Sequence, residues 1–93
     1  MPTRQYIIRG RVQGVGFRWF VEHEARQIGV TGMVRNLEDG TVETIAAGTD
    51  AQLAALKQKL RQGPRAARID SVEERESAHD LSKFKDFSIE GAW

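Results

Sequence analysis

Apolar residues recur along the chain with two different periods, and the changes between them mark the elements. Residues 6–12 alternate, with Tyr6, Ile8 and Val12 set against Arg9 and Arg11, which predicts a strand with one buried face. Gln13-Gly14-Val15-Gly16 interrupts that pattern. From Phe17 the spacing turns helical, through Phe20, Val21, Ala25 and Ile28, and Gly29 stands where a helix would end. Residues 31–37 predict a second strand and residues 41–47 its partner. Between them Leu37-Glu38-Asp39-Gly40 supplies the turn, and Asp-Gly is the usual chemistry of a tight hairpin. Thr49 with Gln52 three residues on is a capping-box pair, with Asp50 a rival cap. Leu53, Leu56 and Leu60 then line one helical face, and Gly63-Pro64 stops the helix. Residues 68–74 predict a fourth strand, but its apolar residues Ile69 and Val72 are three apart, so a bulge or a shifted boundary is expected. Phe87 and Ile89 share one face of a short last strand.

The predicted order is β-α-β-β-α-β with an additional C-terminal strand. Two helices of this length can cover one face of an antiparallel sheet, so the expected class is α+β, a ferredoxin-like split βαβ sandwich. With no repeat, low-complexity tract or linker, residues 1–93 are expected to form a single domain. Many unrelated activities use this architecture, so function has to come from particular residues.

Composition narrows the options. The 93 residues are 40% hydrophobic and 29% charged, the balance of an ordinary globular domain. Fourteen basic residues against 13 acidic ones leave a net charge of +1, so no global field points to nucleic acid or to an anionic membrane. The absence of cysteine removes disulfides, thiolate metal sites and thiol nucleophiles. Apolar runs are too short for a membrane span, and no apolar signal core follows the N-terminal Met1-Pro2-Thr3-Arg4-Gln5. The expected location is the cytoplasm. With no apolar stripe left over, the expected state is a monomer.

Gly10-Arg11-Val12-Gln13-Gly14-Val15-Gly16-Phe17-Arg18 carries most of the chemical information. It joins a strand to a helix through glycines, and such a loop can aim several backbone N–H groups at one point. The helix N-terminus adds unpaired N–H groups and partial positive charge, which suits a phosphate or carboxylate. Arg18 opposes the helix dipole unless an anion is bound, and its planar fork of donors matches phosphate oxygens. A purely structural reading is also open: the glycines make a tight turn and Arg18 pairs with Glu22 one helical turn on. Dinucleotide and nucleoside triphosphate loops do not fit, because Trp19 occupies the place of a third glycine and no Gly-Lys-Ser/Thr follows.

Residues 10–18 resemble the signature of the acylphosphatases, and so does Gly32-Met33-Val34-Arg35-Asn36-Leu37-Glu38-Asp39-Gly40-Thr41-Val42, which is similar to the family's strand-turn-strand signature. Length, element order and the final Phe87-Ser88-Ile89 are similar as well. The resemblance implies hydrolysis of the mixed anhydride between a carboxylic acid and phosphate, without metal or cofactor. It carries the phosphate-binding arginine onto Arg18 and the catalytic asparagine onto Asn36. The backbone of Gln13, Gly14, Val15, Gly16 and Phe17 becomes the phosphate cradle, with inorganic phosphate as product and competitive inhibitor. Such chemistry needs no strong general acid, since the leaving group is a carboxylate. The remaining work is to hold the phosphoryl group, spread its charge and aim a water. On its residues alone, Asn36 has a second reading as the cap of the following turn.

Other residues carry less. His23 and His79 have no acidic partners at metal-ligand spacing, and His23 is expected on a solvated helix face. Asp39 is expected to serve the turn, Glu73-Glu74-Arg75-Glu76 to form a solvated edge, and Trp19 and Trp93 to pack partly or lie at the surface. Arg61, Arg65 and Arg68 form a basic cluster that is either a plain solvated surface or a guide for an anionic substrate. The resemblance also implies an alternative function. Acylphosphatase-like domains begin the hydrogenase maturation factors, where one would act as a non-enzymatic module for acyl or carbamoyl phosphate. No zinc-finger segment precedes the end at Trp93, which favours a stand-alone enzyme. RNA binding on the sheet would need exposed aromatics on central strands. Residues 41–47 have none, and Glu43 would repel phosphate.

Overall fold

The computed structural model describes residues 1–78 and 84–91; His79 and Trp93 lie outside them. The elements are β1 (Thr3–Arg11), α1 (Phe17–Ile28), β2 (Thr31–Asn36), β3 (Val42–Ala47), α2 (Asp50–Gln62), β4 (Arg68–Glu76) and β5 (Phe87–Ile89). The strands form one sheet in the order β4-β1-β3-β2-β5. The first four strands in that order are antiparallel neighbours, as a split βαβ requires. β5 runs parallel to β2, so the whole sheet is mixed and not purely antiparallel as expected.

Register decides which face each strand buries. Tyr6 and Ile8 of β1 lie opposite Thr44 and Val42 of β3, and these lie opposite Val34 and Asn36 of β2. This face meets Phe17, Val21 and Ala25 of α1 and Leu53, Leu56 and Leu60 of α2 in one core. Burying each such leucine stabilises the fold by roughly 1.5–3 kcal/mol. The expected irregularity in β4 is present. Arg9 faces Ser71 and Gly10 faces Ile69, so Asp70 is an extra residue in β4. That single insertion lets Ile69 and Val72, three apart in sequence, both pack against the core.

The same register gathers six chain ends at one end of the sheet. Arg11 pairs with Arg68, so β1 finishes where β4 begins. Ile8 pairs with Val42 and Val42 with Asn36, so β3 begins and β2 finishes there too. The start of α1 and the end of α2 follow from the short connections. The opposite face of the sheet carries Glu43, only 5% exposed, which accepts bonds of 2.6 Å from Gln5 Nε2 and 2.6 Å from Arg35 Nε. This network ties β1, β3 and β2 together behind the hairpin that holds Asn36.

Candidate active site

The loop between β1 and α1 is held at both ends by the core. Val12 and Phe17 are each 1% exposed, and Val15 packs partly against the same cluster. Gly14 and Gly16 have φ of 73° and 78°, while no non-glycine residue among the described residues has a positive φ. The backbone therefore alternates in hand through the loop, the arrangement that turns successive N–H groups toward a common point. A Cβ on either glycine would meet nothing within 4 Å, so the glycines are needed for their handedness and not to relieve crowding.

The N–H groups of Gly14 through Trp19 donate to no described backbone carbonyl; the first such bond is Phe20 N–H to Gly16 O at 3.1 Å. Gly16, the N-cap of α1, has no side chain to offer, and the first turn holds no acidic residue. α2 shows the contrast. Thr49 and Gln52 make a complete capping box, at 3.1 and 2.9 Å, and Asp50 lies in the first turn. Among the described residues the start of one helix is thus satisfied and the start of the other is left open, with its donors and about half a unit of positive charge.

Arg18 stands in that open turn and makes no ion pair among the described residues. Pairing with Glu22 does not occur, because Glu22 engages Arg26 instead at 3.6 Å. In the turn that follows Asn36, Asp39 makes a side-chain cap. Asp39 Oδ1 accepts from Thr41 N–H at 3.0 Å and from the Thr41 hydroxyl at 2.6 Å. Those two bonds, with a smaller contribution from Arg9, hold the Asp39 carboxyl below its usual range. Asn36, the last residue of β2, is 9% exposed and shares the helix-covered face with Val42.

Loop and hairpin are joined by a contact that sequence reasoning missed. The side-chain amide of Gln13 donates to Leu37 O at 2.8 Å and to Thr41 O at 2.9 Å. The structure therefore brings the Gln13–Phe17 backbone, the Arg18 turn and the end of β2 with Asn36 to one end of the sheet. Gln13 contributes its side chain to the hairpin as well as its backbone to the loop.

The remaining candidates fall in several places. The His23 side chain is 68% exposed on α1. Trp19 is 76% exposed, at the surface. β4 is an edge strand, and its Glu73-Arg75 pair is solvated. Arg68 pairs with Asp70 at 3.1 Å. Its cross-strand neighbour Arg11 is exposed beside the loop with no ion pair among the described residues, a placement that cross-strand register alone reveals. Burial pushes the Tyr6 hydroxyl well above the usual tyrosine range, and its bond to Leu53 O at 3.3 Å anchors α2. Glu74 is held below the usual range, chiefly by the bond from Lys57 at 2.8 Å. Among the described residues no cluster of three or more His, Cys, Asp or Glu could hold a metal, and no helix is long and apolar enough to cross a membrane.

A two-layer α+β sandwich with an uncapped glycine loop between its first strand and first helix defines a small class of split βαβ domain. The acylphosphatase family model matches residues 4–89. The chain is 53% identical to an acylphosphatase of Koribacter versatilis over 91 residues, covering 98% of this chain and 82% of that one. Its structure superimposes on the crystal structure of acylphosphatase from Bacillus subtilis with a TM-score of 0.91 at 35% identity, covering 98% and 100% of the two chains. It is also similar to full-length HypF in a phosphate- and nucleotide-bound form, at a TM-score of 0.82 and 30% identity, but covers only 12% of that chain. This chain belongs to the acylphosphatase family.

Proposed function

We propose that the protein hydrolyses the carboxyl–phosphate bond of acyl phosphates, releasing a carboxylate and inorganic phosphate. The observation that carries this reading is the uncapped start of α1. Among the described residues, the N–H groups from Gly14 to Trp19 donate to no backbone carbonyl and Arg18 makes no ion pair, and both stand at one end of the sheet with Asn36. The loop N–H groups and the Arg18 guanidinium bind the phosphoryl oxygens and take up charge as the transition state forms. The amide of Asn36 orients a water in line with the bond that breaks. The water oxygen bonds to phosphorus, the acyl oxygen leaves with the electron pair as a carboxylate, and a water proton passes to phosphate or solvent. A loose transition state asks little of the nucleophile, so an amide that does not titrate suffices.

The same reading makes the protein a cytoplasmic monomer with one domain over residues 1–93, independent of metal, cofactor, nucleic acid and membrane. Assay on benzoyl phosphate with a chelator present tests it. The wild type turns over and inorganic phosphate inhibits competitively. Arg18→Ala and Asn36→Ala, folded by circular dichroism, each lose about 10²–10³-fold or more in rate. Only Arg18→Ala also loses phosphate binding. A wild type that binds phosphate without turnover would replace this reading with that of a non-enzymatic acyl or carbamoyl phosphate module.

A further inference from the structure

We infer that the Gln13 side chain is a positioning residue, a clamp that sets the phosphate cradle at a fixed distance from Asn36; this rests on the proposed role of Asn36. The amide nitrogen of Gln13 lies 2.8 Å from Leu37 O and 2.9 Å from Thr41 O. Both neighbours are carbonyl oxygens, so only the NH₂ end can face them, and it spends one proton on each. No donor remains on this side chain for a phosphate oxygen. Gln13 therefore does not bind substrate through its amide, although it lies in the binding loop.

The two carbonyls it selects bracket Asn36. Leu37 follows Asn36 in the chain, and Thr41 precedes Val42, the cross-strand partner of Asn36. They are also the residues that close the turn. Leu37 N–H donates to Thr41 O at 2.9 Å, and Gly40 N–H donates to Leu37 O at 3.2 Å. One amide from the loop thus grips both strands of the hairpin at the base of its turn, where a shift would move Asn36 first. The turn itself is held independently by Asp39 on Thr41. Loss of the Gln13 clamp should therefore leave each half intact and free only their separation. In-line attack on a held phosphoryl group is sensitive to that separation, and a misplacement near 1 Å costs on the order of 100-fold in rate.

The test is a double-mutant cycle on benzoyl phosphate hydrolysis, with inorganic phosphate inhibition as the second readout. Gln13→Met keeps the length of the side chain and removes its donors. Gln13→Ala, which removes side chain and donors together, is run beside it. Either folded variant should lose about 10- to 100-fold in kcat. The phosphate inhibition constant should stay within about threefold of wild type, because both substitutions keep every backbone N–H of the loop and the Arg18 guanidinium. In an Asn36→Ala background the same substitutions should change the residual rate by less than about twofold, since the group they position is gone. A full loss in both backgrounds, or phosphate affinity falling in step with kcat, would overturn the clamp. Asn36→Ala alone reports on the role of Asn36. If that variant keeps the wild-type rate, the catalytic reading of Asn36 fails and the clamp with it. If it is impaired while the Gln13 effect persists within it, only the clamp fails.

Discussion

Arg18 gives a prediction in which stability and activity move in opposite directions. The residue lies at the second position of α1, beside an uncapped terminus with no acidic residue in the first turn and no ion-pair partner among the described residues. A cation there opposes the helix dipole by about 0.3–1 kcal/mol at low ionic strength. Arg18→Met removes the charge and keeps the unbranched stem, so packing changes little. For a domain of this size 1 kcal/mol corresponds to about 4–8 °C in Tm. The variant should therefore melt about 1–8 °C higher than wild type in phosphate-free, low-salt buffer, while its turnover falls about 10²–10³-fold. Phosphate should reverse the order. At 100 times its Kd a ligand stabilises the native state by about 2.7 kcal/mol, and only the wild type has Arg18 to hold it. Differential scanning calorimetry with and without phosphate measures both effects. Raising the salt should shrink the phosphate-free difference as the Debye length falls to a few Å. An Arg18→Met variant that is less stable than wild type without phosphate, or that gains as much from phosphate as wild type does, would refute the reasoning.

Other consequences can be checked with the same assays. Gly16→Ala should fold, at a cost of about 1–2 kcal/mol for a left-handed alanine, and should bind phosphate more weakly because relaxation of the loop turns N–H groups away. Gly32→Ala should not give a stable protein: its Cβ would lie 1.9 Å from the Ile45 carbonyl oxygen of β3, a clash between backbones expected to cost more than about 4 kcal/mol by denaturant unfolding. Thr49→Ala removes the N-cap of α2 at the far end of the sheet, so Tm should fall by about 4–8 °C with kcat unchanged. Glu74 and Asp39 have folded pKa values lowered from 4.5 and 3.8. Their stabilisation is therefore full above those values and is lost as pH falls through the lowered ones. Tyr6 is raised from 10.0, so its contribution is full below pH 10 and declines as pH rises above it. Unfolding midpoints measured across pH should be flat near neutrality and fall on both flanks.

Local patterns in the chain account for much of the fold because β1 and both helices each bury a single stripe. Period together with glycine, turn and cap signals located both helices and the first four strands, and the three-residue spacing of Ile69 and Val72 marked an irregularity that the structure resolves as the bulge at Asp70. What local pattern could not convey is direction and partnership. Phe87 and Ile89 announce a strand, but two residues on one face are compatible with either orientation, and the parallel pairing with β2 comes from the connection across the molecule. Arg18 illustrates a choice that local physics could have decided. Glu22 can pair with Arg18 before it or Arg26 after it at the same spacing, but a helix favours the acid N-terminal to the base. The structure takes that option at 3.6 Å, and the rejected arginine is the one in the first turn of α1, next to the glycine loop. Gln13 is the opposite case. Its partners lie 24 and 28 residues away, and both are backbone carbonyls, which have no signature in residue type. A glutamine in a glycine loop reads as one more polar loop residue until the register of β1 on β3 brings the hairpin beside it. If the clamp operates as inferred, the geometry of catalysis depends on a bond between two motifs that sequence shows only separately, and the consequence of losing Gln13 is legible only in the folded chain.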